Sequence, residues 1–105
     1  MAGVFDKNTV FDDWRKDYFT KERLSKTIKK VNLIKNRLAN KKRSMTQIAL
    51  RFCLEKPGAD VAIVGMRNPL HVKENCRSVD VHLTKKELDF LIKQRWVRNF
   101  YPPIW

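Results

Sequence analysis

Residues 61–75 read VAIVGMRNPLHVKEN, and the fold turns on the first four of them. Val61, Ala62, Ile63 and Val64 are continuously apolar and rich in β-branched side chains. Pro57 and Gly58 punctuate the chain before them and Gly65 ends the run. The pattern predicts a short strand over 61–64, buried on both faces as in a parallel sheet. Asn68 and Pro69 then open a helix over 69–77, with Asn as the cap and Pro in the first turn, where its missing N–H costs little. No other segment reads as a strand. A lone buried strand leaves N–H and C=O groups unpaired along both edges, at about 1–3 kcal/mol per buried group. It therefore expects neighbours from elsewhere.

Working outward, the remaining elements read as helices. Upstream, Thr20 is a candidate cap for a helix over 20–40. Its apolar stripe is Leu24, Ile28, Val31, Ile34 and Leu38. Ser44 and Gln47 form an S-x-x-Q capping box at the start of a helix over 45–56. That helix is apolar nearly all round, which predicts burial on most sides. Downstream, Thr84 and Glu87 form a second capping box for a helix over 85–97, with Leu88, Leu91 and Ile92 as its stripe. Residues 1–19 read as a loop carrying Phe5, Phe11, Trp14 and Phe19, large groups that need cover and suggest a loop cut from an upstream strand. The tail over 98–105 is irregular and aromatic. By itself the chain is expected to be one incomplete, mostly α domain of about four helices and one short strand.

The 105 residues fit one small domain or a piece of a larger one, and 43% hydrophobic residues allow a packed core. Lys and Arg outnumber Asp and Glu by 23 to 11, a formal net charge of +12. That balance suits a nucleic acid, an acidic membrane surface or a phosphorylated small molecule, and does not choose among them. Between Lys21 and Arg43 stand ten basic residues and one acid, Glu22. Most lie off the apolar stripe, as on a solvated face, so a nucleic-acid partner is not expected. No secretory leader precedes Asp6 and Lys7, and no apolar run reaches the length of a membrane span. Cys53 and Cys76 match no metal or redox motif, and two reduced, mostly buried thiols in a cytoplasmic protein are expected. His71 and His82 have no ligand partners at metal spacing, so no metal site is expected.

The turn after the predicted strand suits an anionic ligand. A strand's carboxyl end and the next helix's start bring free N–H groups and a positive dipole to one point. Gly65 permits close backbone approach. Arg67 offers two parallel N–H donors to a phosphate. Glu74 and Asn75, two turns on, are placed to bond a nucleobase edge.

Taken with its flanks, this segment resembles the aldo-keto reductase family. Its eighth strand and helix often read IPGxRxPxxxxEN; here stand Ile63, Val64, Gly65, Met66, Arg67, Asn68 and Pro69, then Glu74 and Asn75. Ser44, Gln47, Ala49 and Leu50 resemble the family's S-x-x-Q-x-A-L helix. Asp13, Trp14 and Arg15 resemble the DWR of its long loop after the seventh strand, and Asp80, Leu83, Thr84 and Glu87 the start of its final helix. The resemblance covers nearly the whole chain and implies α/β descent, from the C-terminal part of a (β/α)8 TIM barrel. It implies an NADP(H)-dependent oxidoreductase that reduces aldehydes and ketones. Arg67 would hold the 2′-phosphate of the cofactor's adenosine, with Gly65, Met66 and Asn68 along it. His71 would contact the adenosine, and Glu74 and Asn75 the adenine. Val64 departs from the family's usual proline.

The family's Asp, Tyr, Lys and His of catalysis come from the first half of the barrel, and nothing here aligns with them. Tyr18 and Tyr101 lie in other contexts. A complete barrel takes about 250 residues. The expectation is a cofactor-binding segment that is not catalytic alone and is completed by a missing N-terminal barrel part or by self-association. The alternative is a repurposed binding or assembly module whose basic helix faces an acidic partner. Trp96, Tyr101 and Trp105 suit either a substrate-pocket wall or packing of the tail.

Overall fold

A computed structural model describes residues 5–95. The elements are α1 (Arg15–Tyr18), α2 (Lys21–Leu38), α3 (Met45–Leu54), α4 (Pro69–Cys76), a 3-10 turn (Arg77–Asp80) and α5 (Lys85–Gln94). The basic stretch from 20 folds as α2 because Thr20 caps it, its hydroxyl accepting from the Arg23 N–H at 3.5 Å. The helix stops at Leu38, where Ala39 turns extended, two residues before the expected end. Asn40 is the reason: its side-chain oxygen accepts from the N–H groups of Lys42 and Arg43 at 2.9 and 3.2 Å, a local turn that competes with the helix.

Both capping boxes form. Ser44 accepts from the Gln47 N–H at 3.3 Å while the Gln47 side chain accepts from the Ser44 N–H at 3.0 Å. Thr84 and Glu87 make the reciprocal pair at 3.2 and 2.9 Å. Past α3, Gly58 takes a φ of 86°, the left-handed conformation that glycine adopts without a Cβ penalty.

Packing divides into two apolar clusters. Phe11, Leu24 and Ile28 are buried with Phe5 and Phe19 against them, so the first half of α2 covers the N-terminal aromatic residues. That segment, expected as loop throughout, contains the single turn α1 and is pinned by Arg15, which grips Asp13 at 2.6 Å and lies over the Phe11 ring at 4.8 Å. The second cluster joins Leu38, Ile48 and Leu91, with Ile34, Phe52, Leu83 and Phe90 around them. Helix α3 packs against α2, α4 and the 3-10 turn, and α2 packs also against α5.

Three expectations are corrected. No strand exists among the described residues; residues 61–64, expected as a buried strand, pair with nothing. The physical reason is that no second segment offers a ladder. Val61 is 79% and Ile63 101% exposed, while Ala62 and Val64 are partly covered, a period-two alternation with one face open. Helix α3 is buried on one side rather than most, because Ala49 and Cys53 face solvent. The thiols of Cys53 and Cys76 are exposed, not buried. Residues 96–97 of the last expected helix, Trp96 among them, and the tail with Tyr101 and Trp105 lie outside the described residues. No described helix is long and apolar enough to cross a membrane.

One ion pair ties α5 to the α2–α3 connection. The Arg43 guanidinium meets both oxygens of Glu87 and also donates to the carbonyls of Leu38 at 2.9 Å and His82 at 3.2 Å. The hydrogen bonds from Arg43, then the Thr84 N–H, hold the Glu87 carboxyl down to about 2. A lowered carboxyl pKa adds stability that is complete above its unfolded value, near 4.5, and is lost as pH falls toward 2. Glu87→Gln should therefore lower stability at neutral pH by about 1–2 kcal/mol, because both side chains are largely covered. The difference from wild type should close between pH 4.5 and 2 in urea titrations followed by circular dichroism.

Candidate functional site

The turn from Gly65 to Asn68 is open. Gly65 through His71 are all exposed, Met66 to 51%. A Cβ built on Gly65 would meet nothing within 4 Å, and its φ is not left-handed. Neither the chain's own packing nor its backbone therefore requires glycine there. The open backbone fits close approach by a group from outside.

Helix α4 starts at this turn because Asn68 caps it, its side-chain oxygen accepting from the His71 N–H at 3.0 Å. The Asn68 amide nitrogen also lies 3.4 Å from His71 Nε2. Pro69 brings no N–H, and that of His71 is taken. The first turn thus has few donors left for an anion. A phosphate held here would depend mainly on the exposed Arg67 guanidinium, which can donate two parallel bonds.

Glu74 and Asn75 lie apart from this open end. Asn75 is buried at 9% exposure. Glu74 accepts from the Ser44 hydroxyl at 2.5 Å, and its carbonyl accepts from the Gln47 side chain at 3.3 Å. The structure thus groups Gly65, Met66, Arg67, Asn68 and His71 at the solvent end of α4. It turns Glu74 toward the capping box of α3. The Ser44–Glu74 link spans thirty positions, and no local pattern announces it. One concave feature among the described residues is lined by Lys41, Lys42, Ser44, Arg77 and Asp80 at the α2–α3 connection, and includes none of residues 65–75.

Three helices, an unpaired apolar run, a glycine–arginine turn, a short capped helix, a 3-10 turn and a last helix follow one another in that order. A model of the aldo/keto reductase family matches residues 2–93, and the chain belongs to that family. The family is one of oxidoreductases built on the TIM barrel, acting on aldehydes and ketones and generally using NADP(H). No curated protein and no solved structure matches the chain.

Ser44 serves two partners at once, the Gln47 N–H and the Glu74 carboxylate. Ser44→Ala removes a helix cap and leaves a half-buried carboxylate short of a donor, and should cost about 1–2 kcal/mol. Ser44→Thr should recover most of it. Thermal unfolding of the three proteins checks the ranking.

Proposed function

We propose that residues 65–75 supply the adenosine 2′-phosphate end of an NADP(H) site in an aldo/keto reductase. The residues that transfer hydride and proton belong to another part of the barrel. The observation that carries this is Arg67, exposed beside a glycine whose Cβ direction is empty, at the capped start of α4. When bound, NADP(H) supplies the hydride that reduces an aldehyde or ketone. Arg67 would grip the 2′-phosphate through paired charge-assisted bonds. Met66 and Asn68 would line it, Gly65 would let it approach, and His71 would cover the adenosine. Glu74 and Asn75 would reach the adenine edge, which for Glu74 means exchanging its bond from Ser44. The exposed thiols of Cys53 and Cys76 suit a reducing compartment such as the cytoplasm.

The chain alone is then a binding element, not a catalyst. Val61 and Ile63 present a bare apolar face next to the site, which favours completion by strands of a partner segment or by self-association. The same face supports the alternative, an assembly module without catalysis. Light scattering across concentration separates these from an independent unit: a strictly monomeric chain that binds nothing counts against both.

Arg67→Ala should weaken NADPH by about 10- to 100-fold, or 1–3 kcal/mol, and leave NADH nearly unchanged, since only the former carries the 2′-phosphate. Titration of tryptophan fluorescence with the two cofactors checks it; equal losses for both would remove Arg67 from the phosphate. With NADPH and a panel of aldehydes, the chain by itself should show no oxidation of the cofactor. Turnover at an ordinary enzyme rate without a partner would overturn the division of labour.

A further inference from the structure

We propose that the outer face shared by α2 and α5 docks the phosphodiester backbone of a nucleic acid. Arg23, Lys26, Lys30, Leu33 and Arg37 follow one another by three and four residues, so they form one line along α2. The opposite line, Leu24, Ile28, Val31 and Leu38, is buried. From Arg23 to Arg37 the basic line runs about 21 Å at the helical rise.

On α2 alone these charges amount to a solvated face. The second helix changes that reading. Lys30 Nζ donates to the Gln94 carbonyl at 3.2 Å, and the Arg37 guanidinium lies 4.3 Å from the centre of the Phe90 ring. These contacts set α5 antiparallel beside α2, with Phe90 and Gln94 on the rim next to the basic line. Lys86 and Lys93, four residues before Phe90 and three after it, share that side of α5, and both are exposed. Lys29, also exposed, flanks the line on α2. Three acids stand on the two helices, and one of them, Glu87, is taken by Arg43. Glu22 is paired with Lys26 at 2.6 Å with both side chains mostly in water, and Asp89 is exposed on α5. An exposed pair of this kind exchanges cheaply.

A surface that is nearly one sign over two helices is unusual for solubility alone, which is served by interspersed signs. A lipid surface fits less well. An interfacial helix must lay its apolar side into the bilayer, and that side of α2 is committed to the core. A polymer with a phosphate about every 3.4 Å per strand fits a straight basic row, and about four to five contacts give a salt slope near −4.

The test uses the full chain and fluorescence anisotropy with short mixed-sequence DNA and RNA duplexes between about 50 and 200 mM salt. Binding of either duplex with a slope near −4 in log K against log salt is expected, and the stronger one identifies the polymer. Arg23→Gln, Lys26→Gln and Arg37→Gln together should reduce the slope by about three. A control with Lys7, Lys16 and Lys56, all exposed, changed to Gln alters net charge equally and should keep the slope. Because Arg37 packs on Phe90, Lys26→Gln alone, at an exposed site, serves as a second reading with a loss of about one. Equal losses in patch and control variants, or retention by phosphatidylserine vesicles without duplex binding, would overturn the proposal. So would no duplex binding at the lowest salt.

Discussion

Arg43 and Ser44 are neighbours in sequence, and between them they fasten four helices. Arg43 reaches back to the last turn of α2 through the Leu38 carbonyl and forward to α5 through Glu87 and the His82 carbonyl. Ser44 begins α3 and holds α4 by Glu74. The two clusters of apolar side chains are small, and Ile48 is the one large residue wholly withdrawn from water among those described. In a molecule with so thin a core, polar fastening carries more of the geometry than usual. The five donors of the Arg43 guanidinium, spread over a planar fork, meet four oxygens here, one more than the three N–H donors of a lysine ammonium could serve.

Much of the local structure was legible because it is governed by contacts three or four residues long. Both capping boxes, the Asn68 cap and the stripe of α2 follow from patterns a few letters wide. Apolar spacing carries the end of α2 two residues too far, because the Asn40 side chain offers the backbone a competing turn that no such spacing records. Arg43 reads as one more cation in a basic run, and only the approach of α5 turns it into a covered ion pair. The N-terminal aromatic residues read as needing cover, but nothing local says that α2 provides it for Phe5, Phe11 and Phe19. The strand is the opposite case. Its residues carry the β signal, yet strand structure is a property of at least two segments, and 61–64 finds no second one.

The candidate site divides along the same line. Gly65, Arg67 and Asn68 sit where a strand-to-helix turn would put them, exposed and adjacent. Glu74 does not stand ready for a ligand, because a hydroxyl on another helix already occupies it. Under the proposed role of Glu74, that bond must be exchanged before the cofactor is held, so α3 and the cofactor would compete for one carboxylate. Any group that draws Glu74 away loosens the start of α3, and any change that tightens that start is felt at α4.

The half-open run at 61–64 carries a further consequence for how copies of the molecule behave toward one another. Its bare side chains and unpaired backbone favour edge-to-edge stacking, while twelve surplus positive charges push copies apart. Only the repulsion reaches through solvent, and it fades beyond about 8 Å at physiological ionic strength. Colloidal behaviour is therefore set by a contest between a short-ranged adhesive edge and a screened electrostatic shell, with added electrolyte weakening only the shell.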